Sequence, residues 1–269
     1  MKDLHPGGWL RLVAIALGTI VLIPFQLAAM RFWPSRDKFV TRLFHKLVCR
    51  GLGVRTRVRG TPPSPKAGGL IVANHCSWLD IPVLGAQRPL SFVAKAEIAG
   101  WPVIGWLSRL QRTVFIDRTR RAATAGVADQ MGRRLSAGEL VVLFGEGTTG
   151  DGTRILPFRS SLVGAVHQAL GNDDEAEIMI YPLTITYLGY HGMAGGRADR
   201  SALAWHGDTE LAPHLAAMLK IGAIDVELSW GEPFAMGRAI TRKQATRRLE
   251  AEIRRARNEA VTGRPIPPV

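Results

Sequence analysis

The alternation of apolar and polar residues divides the chain into three parts, of which the first is almost wholly apolar. From Leu12 to Met30 no residue is charged, and roughly 19 such positions suffice to cross a bilayer core or to lie deep in one leaflet. Pro24 interrupts the stretch, so a kinked or re-entrant helix fits it as well as a straight span does. Aromatic residues flank it, as they do at membrane surfaces: Trp9, Phe32 and Trp33. We therefore predict a membrane-embedded helix or re-entrant element over residues 1–35.

The second part, residues 36–60, is basic and amphipathic. Apolar residues recur at helical spacing from Phe39 to Val48, which is typical of a helix lying on a membrane surface. Nine Lys and Arg between positions 31 and 59 accompany a single acid, Asp37. By the positive-inside rule, everything downstream lies in the cytoplasm. A cleaved signal peptide fits poorly because the apolar stretch is long and a basic block follows it at once, whereas a buried core helix remains the alternative.

The third part, residues 61–269, alternates strands and helices after a Pro-rich linker at 61–65. Short apolar segments rich in β-branched residues predict strands: Gly69–Ala73, Ser91–Ala94, Thr113–Ile116, Leu140–Phe144, Ile178–Thr186 and Val226–Trp230. Helices are predicted between and after them: Trp101–Leu110, Thr119–Leu135, Ser160–Leu170, Leu211–Leu219 and a last one from the N-cap Thr241 to Gly263. This order predicts an α/β fold in which helices flank a mixed, mostly parallel central sheet.

Charge and cysteine content narrow the classes of partner. The formal net charge of +13 on 269 residues attracts anions, such as nucleic acid or an anionic membrane surface. Only three Tyr are present for base stacking, and basic residues cluster beside the apolar element, so a membrane is the favoured partner and nucleic acid is not expected. Two cysteines, Cys49 and Cys76, without metal-type spacing predict neither a disulfide framework nor a zinc site.

Asn74-His75-Cys76-Ser77-Trp78-Leu79-Asp80 follows the first predicted strand of the third part. A histidine accepts a proton near neutral pH, and a carboxylate can orient its ring. The chain turns out of a strand here, and the turn can bring His75 and Asp80 together although five residues separate them. Cys76 is adjacent to His75, and adjacent side chains usually diverge, so we expect a buried structural thiol and not a nucleophile.

Two further motifs follow strands. Phe115-Ile116-Asp117-Arg118 places a guanidinium at the rim of the sheet, where α/β folds bind ligands and where Arg suits a phosphate. Phe144-Gly145-Glu146-Gly147-Thr148-Thr149-Gly150 contains the GxGxxG pattern of dinucleotide sites. Asp151-Gly152 and Pro157 follow instead of a helix, which disfavours a dinucleotide.

In this order and at these distances, Asn-His-x4-Asp, Phe-Ile-Asp-Arg and Glu-Gly-Thr resemble the glycerolipid acyltransferase family, whose best-known members acylate lysophosphatidate. The resemblance runs from about Gly69 to Thr186, with Pro182 standing for a fourth motif. It implies that His75 is the general base and that Asp80 orients it. Acceptor-binding residues would be Lys95, Arg118, Glu146, Gly147 and Thr148. The acyl donor would be a thioester of acyl carrier protein or coenzyme A, without a metal or other cofactor, at the cytoplasmic face of a bacterial inner membrane.

Two departures from the family leave the acceptor open. The family usually has Pro where Gly145 stands and Arg where Thr149 stands, so one phosphate-binding cation is missing. Ala204-Trp205-His206-Gly207-Asp208 and the run from Glu146 to Ser161 most resemble a bacterial branch that acylates lyso-ornithine lipid. Lysophosphatidate, as the family's commonest substrate, is the first interpretation, and lyso-ornithine lipid is the alternative. A catalytically inactive membrane scaffold is the alternative from another class, disfavoured by the presence of both His75 and Asp80.

Overall fold

The computed structural model describes residues 4–34, 36–116, 130–170 and 176–265. Its first two elements are helices α1 (Pro6–Phe32) and α2 (Asp37–Gly51), which form an antiparallel pair. Glycines permit the close contact between them. A Cβ atom on Gly18 would lie 2.5 Å from Leu47, and one on Gly51 would lie 2.5 Å from Ile15. The predicted N-terminal apolar helical element is therefore present, and α1 continues through Pro24 without ending.

Within the described residues, nine strands form one sheet, with order β1-β8-β6-β2-β5-β3-β4 and with β7 and β9 paired to β6. The strands are β1 (Arg55–Arg59), β2 (Gly69–Ala73), β3 (Ser91–Lys95), β4 (Val114–Ile116), β5 (Leu140–Phe144), β6 (Ile178–Tyr190), β7 (Met193–Ala194), β8 (Ile224–Trp230) and β9 (Phe234–Met236). Neighbours along the path are parallel except β6 and β8. The predicted mixed, mostly parallel sheet is confirmed.

Helices cover both faces of the sheet, because side chains of each central strand alternate between two cores. Ile71 and Ala73 of β2 face the core formed with α2, α3 (Asp80–Gln87) and α7 (Leu211–Ile221). Leu70 and Val72 face the core formed with α5 (Ser160–Ala169) and α8 (Arg242–Thr262). Helix α4 (Ile104–Leu110) precedes β4. Helix α6 (Arg197–Leu203) follows β7.

Two elements differ from the prediction, and a third prediction lies mostly outside the described residues. Strand β1 was not predicted, although it lies within the segment 36–60, and its parallel pairing with β8 makes it an edge strand of the sheet. The helix predicted from Trp101 begins at Ile104, after a 3-10 turn at Ala96–Gly100. Most of the helix predicted at 119–135 lies outside the described residues; positions 130–136 are helical.

Candidate functional site

The carboxyl ends of three neighbouring parallel strands bring the sequence motifs together. Strand β2 ends at Ala73, two residues before His75, and is paired in register with β5, so that Ala73 lies opposite Phe144. Glu146, Gly147 and Thr148 follow β5 directly, and β3 ends at Lys95. Because parallel strands end at the same edge of a sheet, one edge carries all of these residues.

His75 and Asp80 are in contact. The turn between β2 and α3 brings His75 Nδ1 to 2.7 Å from Asp80 Oδ2. The imidazole stacks on the Phe144 ring, with the ring centroids 3.9 Å apart. The His75 side chain is 17% exposed while Asp80 is fully buried. With Nδ1 held by Asp80, Nε2 is the ring nitrogen without a hydrogen bond to any described residue and is the one available to a substrate.

The Asp80 carboxylate also accepts hydrogen bonds that sequence reasoning did not predict. Oδ2 accepts from the backbone N–H groups of Cys76 at 2.8 Å and Ser77 at 3.1 Å. Oδ1 accepts from the Tyr187 hydroxyl at 2.7 Å. Burial raises the pKa of Tyr187 well above its usual value, so this hydroxyl keeps its proton and remains a donor. A buried carboxylate that receives several hydrogen bonds is held in one orientation.

Other long-range bonds hold the His75 turn itself. The Asn74 side chain donates to the Ile185 carbonyl at 2.9 Å and accepts from its N–H at 2.8 Å, which extends the pairing of β2 with β6 past the end of β2. The backbone N–H of Gly150 donates to the His75 carbonyl at 2.8 Å. The turn is therefore fixed from both neighbouring strands.

Glu146 is buried beneath the site. One carboxylate oxygen accepts from the backbone N–H of His75 at 2.9 Å, and the other accepts from that of Leu156 at 3.0 Å. Burial raises its pKa to about 7, although both backbone bonds oppose the rise. Both carboxylate oxygens thus accept from backbone N–H groups, and the predicted contact of Glu146 with a substrate stays a prediction.

The remaining predicted residues border a cavity of about 330 Å³, which we call the polar cavity because charged and hydroxyl-bearing side chains lie on its wall, although most of its lining is apolar. His75, Gly147, Thr148 and Lys95 line it, as do Glu97 and Thr149, which carried no predicted role. Gly147 has φ +69°, a backbone conformation that suits glycine at the turn after β5. Arg118, predicted to bind the head group, lies outside the described residues.

A second cavity of about 190 Å³ meets the polar cavity at His75, and we call it the apolar cavity. Its lining comes mostly from apolar side chains of α2, α3, β3 and α4, among them Val48, Ile81, Phe92 and Leu107. Trp101 and Trp205 border both cavities and pack edge to face with their ring centroids 6.0 Å apart. His75 therefore lies at the junction of the two cavities.

Two residues that raised questions in the sequence have structural roles. Cys76 is buried and burial raises its pKa, so the thiol is not a ready nucleophile. Gly145 packs against Phe158, where a Cβ atom would lie 2.4 Å from the ring, so the Pro usual in the family would not fit beside this phenylalanine.

Among the described helices, α1 alone is long and apolar enough to cross a membrane by length and composition, and only 11% of its most apolar window is buried. Its outward face carries large apolar side chains such as Leu10, Leu17, Ile20 and Phe25, each more than half exposed. An apolar surface of this kind fits membrane association.

Known proteins resemble the chain in sequence and fold. A sequence model described as Acyltransferase matches residues 55–186. A lyso-ornithine lipid O-acyltransferase of Brucella abortus is 42% identical over 256 residues, which cover 95% of this chain and 94% of that protein. A 1-acyl-sn-glycerol-3-phosphate acyltransferase of Neisseria meningitidis is 37% identical over 128 residues, 48% of this chain and 50% of the relative. The crystal structure of the 1-acyl-sn-glycerophosphate acyltransferase of Thermotoga maritima has the same fold, with a TM-score of 0.62 and 17% identity over 97% of this chain and 98% of its own. This chain therefore belongs to the acyltransferase family of enzymes.

Proposed function

We propose that the enzyme transfers a fatty acyl chain from a thioester to the free hydroxyl of lyso-ornithine lipid. The observation that carries this choice is the 42% identity to a lyso-ornithine lipid O-acyltransferase along 95% of the chain. Similarity to a lysophosphatidate-type enzyme at 37% identity covers only 48% of the chain. The relatives thus support the alternative acceptor better than lysophosphatidate, which the motifs alone put first.

The His75–Asp80 pair supports general base catalysis without a covalent enzyme intermediate. His75 Nε2 takes the proton from the acceptor hydroxyl, and the oxygen attacks the carbonyl carbon of the thioester. The C–O bond forms, the C–S bond breaks, and the proton passes from the imidazolium to the leaving thiolate. Asp80 stabilises the imidazolium between these two steps, and positioning with base catalysis supplies the rate.

The charges of the polar cavity support a zwitterionic head group. Lys95 and Glu97 both line it, both are exposed, and neither forms a salt bridge with a described residue. Ornithine presents a carboxylate and an ammonium group, which Lys95 and Glu97 match one to one. A phosphate monoester would place its negative charge beside Glu97. Thr148 and Thr149, at the same wall, offer hydroxyl groups instead of the Arg that is usual in the family.

The apolar cavity supports the binding of a hydrocarbon chain next to His75. Its lining is mostly apolar. An acyl chain bound in this cavity would keep water away from the thioester. The donor is a thioester of acyl carrier protein or coenzyme A, and the reaction takes place at the cytoplasmic face of the inner membrane, where the basic residues that follow α1 face the anionic surface.

An acceptor competition tests the proposal. Membranes that contain the protein receive labelled acyl carrier protein thioester, with lyso-ornithine lipid and lysophosphatidate offered in parallel, and His75→Ala serves as the inactive control. We expect ester on lyso-ornithine lipid and loss of about a hundredfold or more in rate with His75→Ala. Ester on lysophosphatidate alone would reject the acceptor, and activity that survives in His75→Ala would reject the mechanism.

Glu97→Gln tests the head-group argument within the same assay. Removal of the negative charge should raise the acceptor KM for lyso-ornithine lipid about tenfold and leave that for lysophosphatidate unchanged or lower. Glu177→Gln, a carboxylate before β6 and outside the residues that line the polar cavity, is the matched control. An equal effect of Glu97→Gln on both acceptors would contradict the assignment of the ammonium group to Glu97.

A further inference from the structure

The segment from Trp101 to Leu110 exposes large apolar side chains outside the N-terminal helices. Trp101 is 38% exposed, Val103 67% and Trp106 43%. Beyond residue 43, six large apolar residues of the described chain are exposed, and these three lie within six positions of one another. Such clustering marks an interaction surface more often than scattered single residues do.

Backbone strain is found at the same place. Val103 has φ +61° and ψ −59°, a positive-φ conformation that a β-branched residue rarely adopts. Residues in such conformations cluster at functional sites, where the surrounding structure holds them. In water, Val103 would be unfavourable for two reasons: its backbone is strained and its apolar side chain is exposed.

This segment contacts α1, whose outward face carries exposed apolar side chains. The buried side chain of Gln26 in α1 donates to the carbonyl of Leu110 in α4 at 2.7 Å. Leu107 and Leu110 also share a narrow groove with Leu22 and Ile23 of α1. Helix α4 is therefore joined to the membrane-associated helix and cannot move away from it without breaking a buried hydrogen bond.

The inner side of the same segment is a wall of the apolar cavity. Trp101, Ile104 and Leu107 line that cavity, whereas Val103 and Trp106 point elsewhere and do not. Arg109 lies three residues after Trp106, is exposed, and offers a cation where lipid head groups would lie. One short element thus separates the cavity beside His75 from an exposed apolar surface.

We propose that the segment from Trp101 to Leu110 inserts into the same membrane leaflet as α1 and forms the lipid entrance of the apolar cavity. The occupant of its exposed face is the acyl-chain region of that leaflet. This inference rests on the proposed function, since it describes how a lipid acceptor reaches His75. The acceptor passes sideways from the bilayer into the cavity between α2 and α4 without crossing water.

A site-specific fluorophore tests the insertion without any substrate. Val103→Cys is labelled with an environment-sensitive dye and mixed with vesicles of phosphatidylethanolamine and phosphatidylglycerol. The native Cys49 and Cys76 are buried, so they label slowly. Met193→Cys is the matched control, because Met193 is 62% exposed on the short strand β7 and lines neither the polar nor the apolar cavity. We expect a blue shift and quenching by nitroxide-bearing lipid at position 103 and neither at position 193. Emission typical of water at 103, and at Trp106→Cys as a second probe, would overturn the proposal.

Kinetics distinguish insertion from a general loss of folding. Val103→Ser combined with Trp106→Ser should lower the rate on acceptor embedded in vesicles roughly tenfold, since two apolar anchors are lost. The rate on a short-chain acceptor dissolved in water should be unchanged. If the enzyme forms ester on lyso-ornithine lipid but the dye at position 103 stays in water, the insertion is rejected and the proposed function stands. If the dye at position 103 enters the bilayer but no ester forms on lyso-ornithine lipid, the proposed function is rejected and the insertion stands.

Discussion

Single residues around Asp80 decide how the candidate base is held. The Tyr187 hydroxyl reaches Asp80 Oδ1 from strand β6, at a point where the register of β6 with β8 shifts. Tyr187 lines neither the polar nor the apolar cavity, so its effect on catalysis passes through Asp80 and then His75. It is a positioning residue in this proposal and not a catalytic one.

Tyr187→Phe should lower kcat about tenfold and leave the acceptor KM unchanged, because a hydrogen bond to a buried carboxylate is worth roughly 1.5–3 kcal/mol. The acidic limb of the pH–rate profile should move to higher pH, since a carboxylate that has lost a donor holds the imidazolium more tightly. Tyr190→Phe is the matched control: it removes a hydroxyl from the same strand that bonds Asp199 at 2.7 Å. A profile identical to that of the unmutated enzyme would show that Tyr187 only fills space.

Glu146 should make stability depend on pH. Its pKa is raised from 4.5 to about 7 in the folded protein, so the unfolded chain holds fewer protons between these values. The free energy of unfolding therefore falls as the pH rises from about 4.5 towards 7. Glu146→Gln lacks this titration, and its stability relative to the unmutated enzyme should rise by on the order of 2 kcal/mol over that range. Thermal unfolding in detergent between about pH 5 and pH 8 measures this, and a pH-independent difference would refute the assignment.

Among contacts between single residues, the sequence predicted those between residues close together in the chain and missed those between residues far apart. His75 and Asp80 are five residues apart and belong to one turn, so their contact follows from local geometry. Tyr187 and Ile185 depend on the pairing of β6 with β2, which no spacing in the sequence reveals. For Glu146, the motif indicated its place in the site but not that its oxygens face backbone N–H groups.

At the scale of elements, the attachment of α1 argues for a helix that lies along the enzyme. Arg11 packs on Gly222 at the end of α7, and Gln26 bonds Leu110 in α4. These points are roughly 22 Å apart along the helix axis, and both belong to the body that carries the sheet. A helix held at both ends by the same body, and along its length by α2, is placed to lie in one leaflet and not to cross the bilayer.

Labelling of single cysteines checks this topology. Gly7→Cys lies in the first turn of α1 and Pro34→Cys lies two residues after its end, and both positions are exposed. If α1 lies in the cytoplasmic leaflet, both should react with an impermeant thiol reagent in inside-out vesicles and neither in right-side-out ones. Reaction of the two positions from opposite sides would establish a transmembrane helix instead. Background from Cys49 and Cys76 is low because both are buried.

Among the elements, the sequence predicted those with a strong apolar pattern. Strands β2 and β5 agree with their predicted bounds, as does α8, whose N-cap Thr241 and terminal Gly263 both fulfil these roles. Strand β1 was missed because its residues, Arg-Thr-Arg-Val-Arg, lack an apolar face, and an edge strand needs none. Helix α6 is short, and Arg and Asp fill its first turns, so periodicity is weak there.

At the scale of the whole molecule, the sheet separates two environments. Helices α2, α3 and α7 cover the face on which α1 and α4 carry their exposed apolar residues, and α5 and α8 cover the opposite face. The site lies at the strand edge between them. Alternation of strands and helices predicted this layered architecture, whereas the antiparallel junction of β6 and β8 depends on long-range pairing and could not be predicted.

The bonds that hold the site also relate its activity to the order of protein synthesis. Glu146 lies 71 residues after His75, and Tyr187 lies 107 residues after Asp80. The ribosome therefore completes α1 well before it has translated the partners of the histidine. A functional histidine site forms only once the chain has been translated beyond β6.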